Sequence, residues 1–384
     1  MKQPITNFTI NGVREVKNLA MNKELIEKLR REWQETAQQT EAYPGGFNGR
    51  GIVICAGGIR YFTCAWVNIR MLRHNGCSLP IEVWYNGDEL TEEVIDLLRQ
   101  MQVICKNVKD HTTSDLSDYA LKPFAILRSS FKEVLYLDAD NNSTGDPAYL
   151  FDSDEFKATG AVFWPDFWKT GRFNPIWKVI GSKEYDSWEQ ESGQVLVDKE
   201  KCWREMNLCL YFNLNREHYY RMLLGDKDTF KFAWIALGSR YHMIGTPVGF
   251  CGYLDRQGVF AGLSMVQHDP EGNIIFLHRN LLKWDITQRD ELVWKLIKRF
   301  KARTDKSTIT PRIADREGAA GSTICDIDGE VESICFGDLF GDLERHCLTE
   351  LTNLRESDFY GRFLVHSYLR YARPGYSKRS LTKS

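Results

Sequence analysis

Two carboxylates, Asp138 and Asp140, follow an apolar run and are separated by one alanine. The run, residues 134–137, is typical of a buried strand. Side chains alternate in direction along a strand, so both carboxylates should project to one side where the strand leaves the sheet. Such a pair can hold a divalent cation, which in turn can bind the oxygens of a nucleotide diphosphate. An isolated Asp-x-Asp also occurs as a plain turn, because Asp favours turns, so its context decides.

A histidine and a lysine farther along the chain could complete such a site. His278 ends the apolar run 274–277, and Lys283 follows five residues later. An imidazole could complete the coordination that two aspartates begin, and a lysine could neutralise a diphosphate whose negative charge grows as it leaves. A histidine at a strand end is more often an ordinary loop residue. The sequence alone does not show whether these positions meet.

Alternating strands and helices must position these residues. Strands predicted at 51–55, 81–85 and 102–105 precede the Asp-Ala-Asp strand and alternate with helices. This alternation predicts an α/β fold with a mainly parallel sheet and helices on both faces. Ligands of such sheets bind beyond the carboxyl ends of the strands. Gly57 and Gly58 follow the first strand there and would let the backbone approach a nucleoside closely, although a Gly-Gly pair is more often a plain turn.

The composition excludes several classes of protein. The 384 residues are 43% hydrophobic and 12% aromatic, which is enough to bury one or two large cores. A formal net charge of −2 provides no overall basic field for a nucleic acid. The sequence contains no apolar run long enough to span a membrane. The 10 cysteines lack metal-ligand spacing, and we expect them to be reduced core residues.

Two glycosylation sequons bear on the location of the protein. Asn141 and Asn142 each begin an Asn-x-Ser/Thr sequon directly beside the acidic pair. A glycan there would obstruct the predicted site, so we expect a cytoplasmic setting. The final segment, residues 373–384, is basic and could make a weak contact with an anionic membrane surface.

Five elements of the sequence, taken in order, resemble retaining glycosyltransferases with the GT-A fold. They are Lys122, Asp138-Ala139-Asp140-Asn141, Ser192-Gly193-Gln194, Gly225-Asp226-Lys227-Asp228, and His278 with Lys283-Trp284. Within that superfamily, the Tyr119-x-x-Lys122 pair and the segment 191–199 (Glu-Ser-Gly-Gln-x-x-x-Asp-Lys) most resemble the fungal α-mannosyltransferases that add α-1,2- and α-1,3-linked outer-chain mannan. The resemblance covers roughly residues 48–300.

The resemblance implies a donor, a metal and a location. The donor would be GDP-mannose, the metal Mn²⁺ or Mg²⁺, the acceptor a glycan, and the α configuration would be retained. The implied metal ligands are Asp138, Asp140 and His278. The fungal enzymes are lumenal and membrane-anchored, so the Golgi lumen is the alternative location if the chain is a trimmed form. The candidate donor-binding residues, which include the two loop glycines, are Gly57, Gly58, Lys122, Asp138, Gly193 and Lys283.

The chemistry of glycosyl transfer assigns roles to the remaining polar residues. The reaction passes through an oxocarbenium-like state, which needs a carboxylate or amide near the anomeric carbon. Asp226 and Asp228 are the candidate catalytic carboxylates, and Gln194 would position the sugar. Double displacement and front-face attack both stay open. Related galactosyltransferases that use UDP-sugars have Gln where this chain has Lys227. A transferase using UDP-glucose or UDP-galactose, and a catalytically silent glycan-binding protein of the same fold, are therefore the alternatives.

The chain is predicted to have three parts. Residues 1–47 would form an N-terminal helical arm, 48–300 a GT-A domain, and 301–384 a C-terminal α/β extension with a basic tail. The domain would have a nucleotide-sugar half, 48–145, and an acceptor half, 146–300. Alternation between Ile324 and Phe336, around Asp328-Gly329, predicts a β-hairpin in the extension.

Overall fold

Two β-sheets with helices packed around them form the described part of this computed structural model. The description covers residues 6–10, 13–17, 21–113, 116, 119–185, 188–300, 310–315 and 323–372. The predicted basic tail lies outside the described residues. The strands, in chain order, are β1 (Thr6–Ile10), β2 (Val13–Lys17), β3 (Arg50–Cys55), β4 (Ile81–Tyr85), β5 (Val103–Asn107), β6 (Glu133–Asp138), β7 (Asn141–Ser143), β8 (Ala161–Thr170), β9 (Trp188–Asp198), β10 (His242–Met243), β11 (Gly249–Leu254), β12 (Phe260–His268), β13 (Ile274–His278), β14 (Leu296–Phe300), β15 (Thr310–Asp315), β16 (Thr323–Asp328) and β17 (Val331–Cys335).

The helices lie between and after these strands. They are α1 (Lys23–Gln39), α2 (Gly58–His74), α3 (Glu92–Gln100), α4 (Leu121–Arg128), α5 (Asp154–Thr159), α6 (Ile176–Ile180), α7 (Trp203–Leu214), α8 (Arg216–Tyr219), α9 (Lys227–Leu237), α10 (Phe336–Phe340), α11 (Leu343–Glu356) and α12 (Asp358–Ala372). Local sequence explains their ends: Thr91, for example, caps α3 by accepting a hydrogen bond from the Val94 amide, and Glu92 and Glu93 follow in its first turn.

The first sheet is mainly parallel, as predicted. Its strand order is β1-β2-β8-β9-β6-β3-β4-β5, with β10 beside β8. Strands β6, β3, β4 and β5 are mutually parallel, whereas β9 runs antiparallel to both of its neighbours. Ile52 and Ile54 of β3 face one core and Val53 faces the other. The core on the Ile52 side includes residues of α2, α3, α11 and α12, and the opposite core includes residues of α1, α4, α6, α7 and α9. The predicted α/β fold with helices on both faces is confirmed.

A second, antiparallel sheet was not predicted from the sequence. Its order is β15-β16-β12-β11-β14-β17, and β13 pairs with both β12 and β7. Because β7 begins at Asn141, only Ala139 and Asp140 separate it from β6 of the first sheet. The acidic pair therefore lies at the point where the chain passes from one sheet to the other.

The hairpin predicted between Ile324 and Phe336 is wrong. Strands form on both sides of Asp328-Gly329, but β16 pairs with β15 and β12, whereas β17 pairs with β14. Alternation and turn residues indicate a strand and a turn, yet the partner of a strand is selected by long-range packing, which a local pattern does not contain.

The β11–β12 pair that supports β13 depends on a close backbone approach at Gly252. A Cβ at this position would lie 1.9 Å from the Ala261 carbonyl oxygen. We expect Gly252→Ala to lower the free energy of unfolding by about 1–3 kcal/mol, because backbone must move to admit the methyl group. Gly245→Ala is the matched control, since a Cβ there has no neighbour within 4 Å. Urea unfolding of both variants checks this, and equal midpoints would contradict it.

Candidate active site

The carboxyl end of β6 lies between β3 and β9. Asp138 is in register with Cys55 of the parallel strand β3. On the other side, Leu137 pairs with Gln194 of β9. Because β9 runs antiparallel, its residues 191–194 come to the same edge of the sheet as the acidic pair.

The second sheet brings His278 to this edge. Strand β7 pairs with β13 so that Asn141 is opposite His278. Asp140 immediately precedes Asn141, and the Asp140 carbonyl accepts a hydrogen bond from the Arg279 amide at 2.9 Å. The short β7–β13 ladder therefore brings together Asp140 and His278, which are 138 positions apart in the sequence.

Asp138, Asp140 and His278, the three predicted metal ligands, come together. One side-chain atom of each lies within 4.8 Å of the others, and this is a candidate metal site within the described part of the chain. His278 Nε2 is 3.2 Å from Asp140 Oδ1 and 3.9 Å from Asp138 Oδ2. Two carboxylates and an imidazole are a ligand set suited to a divalent cation such as Mn²⁺.

Two lysines neutralise the acidic pair. The Lys283 ammonium contacts Asp140. The Lys122 ammonium is 3.1 Å from Asp138 Oδ1 and 3.1 Å from Asp226 Oδ2, and it donates to the Ser192 carbonyl at 2.8 Å. The structure thus brings both predicted cations to the carboxylates, and Lys122 also connects the acidic pair to Asp226.

Burial and charge act in opposite directions on these groups. Burial would raise the pKa of Asp140, but Lys283 and His278 outweigh it and hold that pKa well below its usual range. Burial would likewise disfavour a charged imidazole, but the carboxylates of Asp140 and Glu191 raise the pKa of His278 to about 10. The pair is an ionised carboxylate beside an imidazolium.

The two acids of the 225–228 segment have different surroundings. Asp226 immediately precedes α9, and its Oδ2 accepts a hydrogen bond from Ser192 Oγ at 3.3 Å. Asp228 is 1% exposed, and its carboxylate accepts from the Gln190 amide at 2.9 Å and lies 3.1 Å from Lys231 Nζ. Only Asp226 reaches the Lys122 ammonium and, through it, the acidic pair.

Lys227, which lies between Asp226 and Asp228 in the sequence, is surrounded by acids. Its ammonium lies 2.7 Å from Asp166 Oδ2, 2.5 Å from Glu189 Oε2 and 3.3 Å from Asp228 Oδ2. These partners come from β8, β9 and α9. Lys227 therefore ties the start of α9 to the sheet.

Gly57 caps the N-terminus of α2 after β3, and Gly58 is the first residue of that helix. A Cβ at Gly57 would come 1.8 Å from Glu89 Oε2, and one at Gly58, whose φ is +66°, would come 3.0 Å from the Tyr371 hydroxyl. Arg370, next to Tyr371 on α12, donates to Asp88 at 2.7 Å. The C-terminal helix thus packs beside the loop that was predicted to bind the nucleoside, an arrangement that the sequence did not indicate.

Sequence reasoning also missed Glu191 and Asn141 as residues of the site. Glu191 Oε1 lies 3.2 Å from His278 Nδ1. The Asn141 side chain donates to the Gly193 carbonyl at 2.8 Å and to Gln194 Oε1 at 2.6 Å. Both residues belong to the segments that resemble the fungal enzymes, so the motifs pointed to them, although no role could be assigned without the β6–β9 and β7–β13 pairings.

The sequence is similar to fungal mannosyltransferases. A family model described as "Mannosyltransferase putative" matches residues 49–187 and 181–269. Alpha-1,2-mannosyltransferase MNN21 of Candida albicans is 30% identical over 300 residues, which are 62% of this chain and 45% of that protein. Alpha-1,2-mannosyltransferase MNN5 of Saccharomyces cerevisiae is 27% identical over 290 residues, which are 59% and 50%. The chain thus spans about half the length of these curated relatives.

Solved structures give weaker likenesses. The galactosyltransferase LgtC in complex with donor and acceptor sugar analogues has a TM-score of 0.36 and 15% identity, over 50% of this chain and 73% of that one. The mannosyltransferase Ktr4p of Saccharomyces cerevisiae has a TM-score of 0.33 and 11% identity, over 56% and 76%. At these TM-scores neither likeness supports an argument about this chain.

The predicted cytoplasmic setting is wrong. The homologous fungal mannosyltransferases are lumenal Golgi proteins, and this similarity overrides the inference drawn from the sequons at Asn141 and Asn142. The prediction treated Asn141 and Asn142 as open to glycosylation, but both side chains are fully buried in β7. Among the described helices, none is long and apolar enough to cross a membrane.

The charge state of His278 predicts how metal affinity depends on pH. The pKa of the His278 imidazole is raised to about 10, so the ring is protonated at neutral pH. A cation that binds the ring must therefore displace a proton. We expect the affinity for Mn²⁺ to rise between about pH 6 and about pH 9, by up to about tenfold per unit, with release of about one proton. Titration calorimetry in two buffers of different ionisation enthalpy measures this. His278→Asn should flatten the dependence, and an unchanged slope would contradict the assignment.

Proposed function

Because the chain belongs to the mannosyltransferase family whose model matches residues 49–187 and 181–269, we propose that it is a metal-dependent retaining glycosyltransferase that moves mannose from GDP-mannose to a glycan acceptor. The observation that best supports this proposal is the convergence of Asp138, Asp140 and His278 at the carboxyl edge of the sheet, with Lys283 against Asp140. The α-1,2-mannosyltransferase relatives support mannose as the transferred sugar.

The metal would be held by the Asp138, Asp140 and His278 side chains. Their two carboxylates and one imidazole fit Mn²⁺ or Mg²⁺ by ligand type, and their ligand atoms are close enough to share one ion. Bound there, the cation would stabilise the charge that develops on the departing diphosphate. Lys283 would add a second positive charge at the same place, since its ammonium already lies beside Asp140.

Asp226 is our candidate for the carboxylate that faces the transferred sugar. It lies 3.1 Å from the same ammonium that contacts Asp138, so the two carboxylates flank Lys122. A sugar attached to a diphosphate at the metal site would therefore lie close to Asp226. Either retaining route uses a carboxylate here, as a nucleophile or as electrostatic support for the oxocarbenium-like state.

Asp228 is better suited to anchoring α9. Burial would raise its pKa, but Lys227 and Lys231 lower it, so the group is an ionised carboxylate within a closed set of partners. It is 1% exposed and accepts a hydrogen bond from the backbone of β9. A carboxylate in these surroundings holds the start of α9 against the sheet. Because Asp226 immediately precedes α9, its position is held as well.

Substitution should separate the two acids. We expect Asp226→Asn to reduce turnover about 100- to 1,000-fold with little loss of stability, because it removes charge at the reacting sugar. Asp228→Ala should instead lower the free energy of unfolding by about 3–5 kcal/mol, because it leaves the buried Lys231 ammonium without its carboxylate partner. Turnover and urea unfolding are measured on both variants. Full turnover by Asp226→Asn would remove the proposed role.

Donor preference tests the proposal most directly. With Mn²⁺ present, release of nucleoside diphosphate and labelling of a mannose-containing oligosaccharide should be fastest with GDP-mannose and slower with UDP-glucose or UDP-galactose. The double variant Asp138→Asn/Asp140→Asn, checked for folding by circular dichroism, should release none, since it removes the charges that hold the cation.

The other outcomes of this experiment are equally informative. Faster turnover with a UDP-sugar would replace the proposed donor and leave the transferase chemistry in place. Absence of turnover and of Mn²⁺-dependent nucleotide binding would instead favour a glycan-binding protein without activity.

A further inference from the structure

We propose that Glu191 is a positioning residue of the metal site, acting through His278, an inference that rests on the proposed metal-dependent function. The two ring nitrogens of His278 face different groups. Nε2 faces the carboxylates of Asp140 and Asp138, at 3.2 and 3.9 Å, and Nδ1 lies 3.2 Å from Glu191 Oε1. Nδ1 is buried, and Glu191 Oε1 is an acceptor within its reach.

Glu191 is held firmly in this place. Its Oε1 accepts a hydrogen bond from the Gly193 amide at 2.7 Å, and its Oε2 accepts one from Gln194 Nε2 at 2.8 Å. The residue is 7% exposed. Each carboxylate oxygen thus has a donor from the same strand, and the side chain cannot turn away from His278 without losing both.

A chain of buried hydrogen bonds links Glu191 back to the acidic pair. Gln194 Oε1 accepts from Asn141 Nδ2 at 2.6 Å, so both ends of the Gln194 amide are engaged. Asn141 directly follows Asp140 and pairs with His278 through β7 and β13. The connection therefore runs from Asn141, the residue next to Asp140, through Gln194 and Glu191 to His278. In this arrangement Gln194 acts on Glu191.

The backbone confines the imidazole from the same side. A Cβ at Gly193 would lie 2.5 Å from His278 Nδ1 and 2.9 Å from Glu191 Oε1. Glycine is therefore needed at position 193 for the ring and the carboxylate to approach. The ring is placed between strand β9 and the two aspartates, with Nε2 on the side of the aspartates.

These contacts match what a metal-binding histidine requires. When one ring nitrogen binds a metal, the other usually donates its proton to a carboxylate or a carbonyl, which fixes the tautomer, orients the ring and raises the basicity of the ligand nitrogen. Loss of such a partner typically lowers metal affinity about 10- to 100-fold. Glu191 can supply this partner, so Nε2 is the nitrogen left to the cation.

The test measures Mn²⁺ binding by the Glu191→Gln variant in the presence of GDP. The electron paramagnetic resonance signal of free Mn²⁺ reports how much of the ion is unbound. We expect the Kd for Mn²⁺ to rise about 10- to 100-fold. Glu82→Gln is the matched control: Glu82 is also buried and accepts two hydrogen bonds, from Trp84 Nε1 at 2.9 Å and from the Ser130 amide at 3.1 Å, but it belongs to β4 and lies outside the site. The Kd of the Glu82→Gln variant for Mn²⁺ should equal that of the wild type.

A double-mutant cycle shows whether Glu191 acts through the histidine. In a His278→Asn background, Glu191→Gln should produce little further change in the Kd for Mn²⁺. Fully additive effects would overturn the inference, and so would equal affinities of Glu191→Gln and the wild type. If Glu191→Gln does not fold, Gln194→Met, which removes one of the two donors to Glu191, should raise the Kd in the same direction, and an unchanged Kd would overturn the inference. A wild-type protein that binds no Mn²⁺ would refute the proposed metal site itself.

Discussion

The site depends on charge compensation between buried acids and a few cations. Asp140, Glu191 and Asp226 are almost completely buried at one edge of a sheet, where an unpaired carboxylate would cost several kcal/mol (about 3–5 for breaking a buried pair). Lys122, Lys283 and His278 supply the opposite charge. Lys122 lies between Asp138 and Asp226, and His278 lies between Asp140 and Glu191. Lys283 contacts Asp140. Because these contacts join different elements of the chain, the acids become stable only when those elements are assembled. The same interactions that permit burial therefore determine the geometry of the site.

The assembly requires both sheets. Asp138 ends β6 of the parallel sheet, whereas His278 ends β13 of the antiparallel one, and the chain crosses between them at Ala139 and Asp140. The β7–β13 ladder is short, but it fixes the register of His278 against Asn141. Trp284, buried after β13, donates to the Asn142 side chain at 2.8 Å and strengthens the same junction. A site built at such a junction depends on the packing of both sheets, including the β11–β12 pair beside β13.

The sequence predicted the local elements well and their partners poorly. The run into Asp138 and the strands at 51–55 and 81–85 follow from apolar runs bounded by turns, and the structure has them within one residue. The antiparallel insertion of β9, the second sheet and the packing of α12 beside Gly58 involve pairings between distant segments that leave no local pattern. The same limit explains Glu191. Its motif was visible, but its role depends on a register between β6 and β9, and a shift of one residue would turn its side chain to the other face.

Asp226 and Asp228 show how surroundings separate residues that look equivalent in a sequence. They are two positions apart, and α9 begins between them at Lys227. The Asp226 carboxylate faces the Lys122 ammonium. The Asp228 carboxylate instead contacts Lys231 and the β9 backbone. Lys227 also lies against Asp166 and Glu189, so it offsets the charge of two further buried acids. The three surrounding acids therefore hold Lys227 in place, and its ammonium joins the start of α9, next to Asp226, to the sheet.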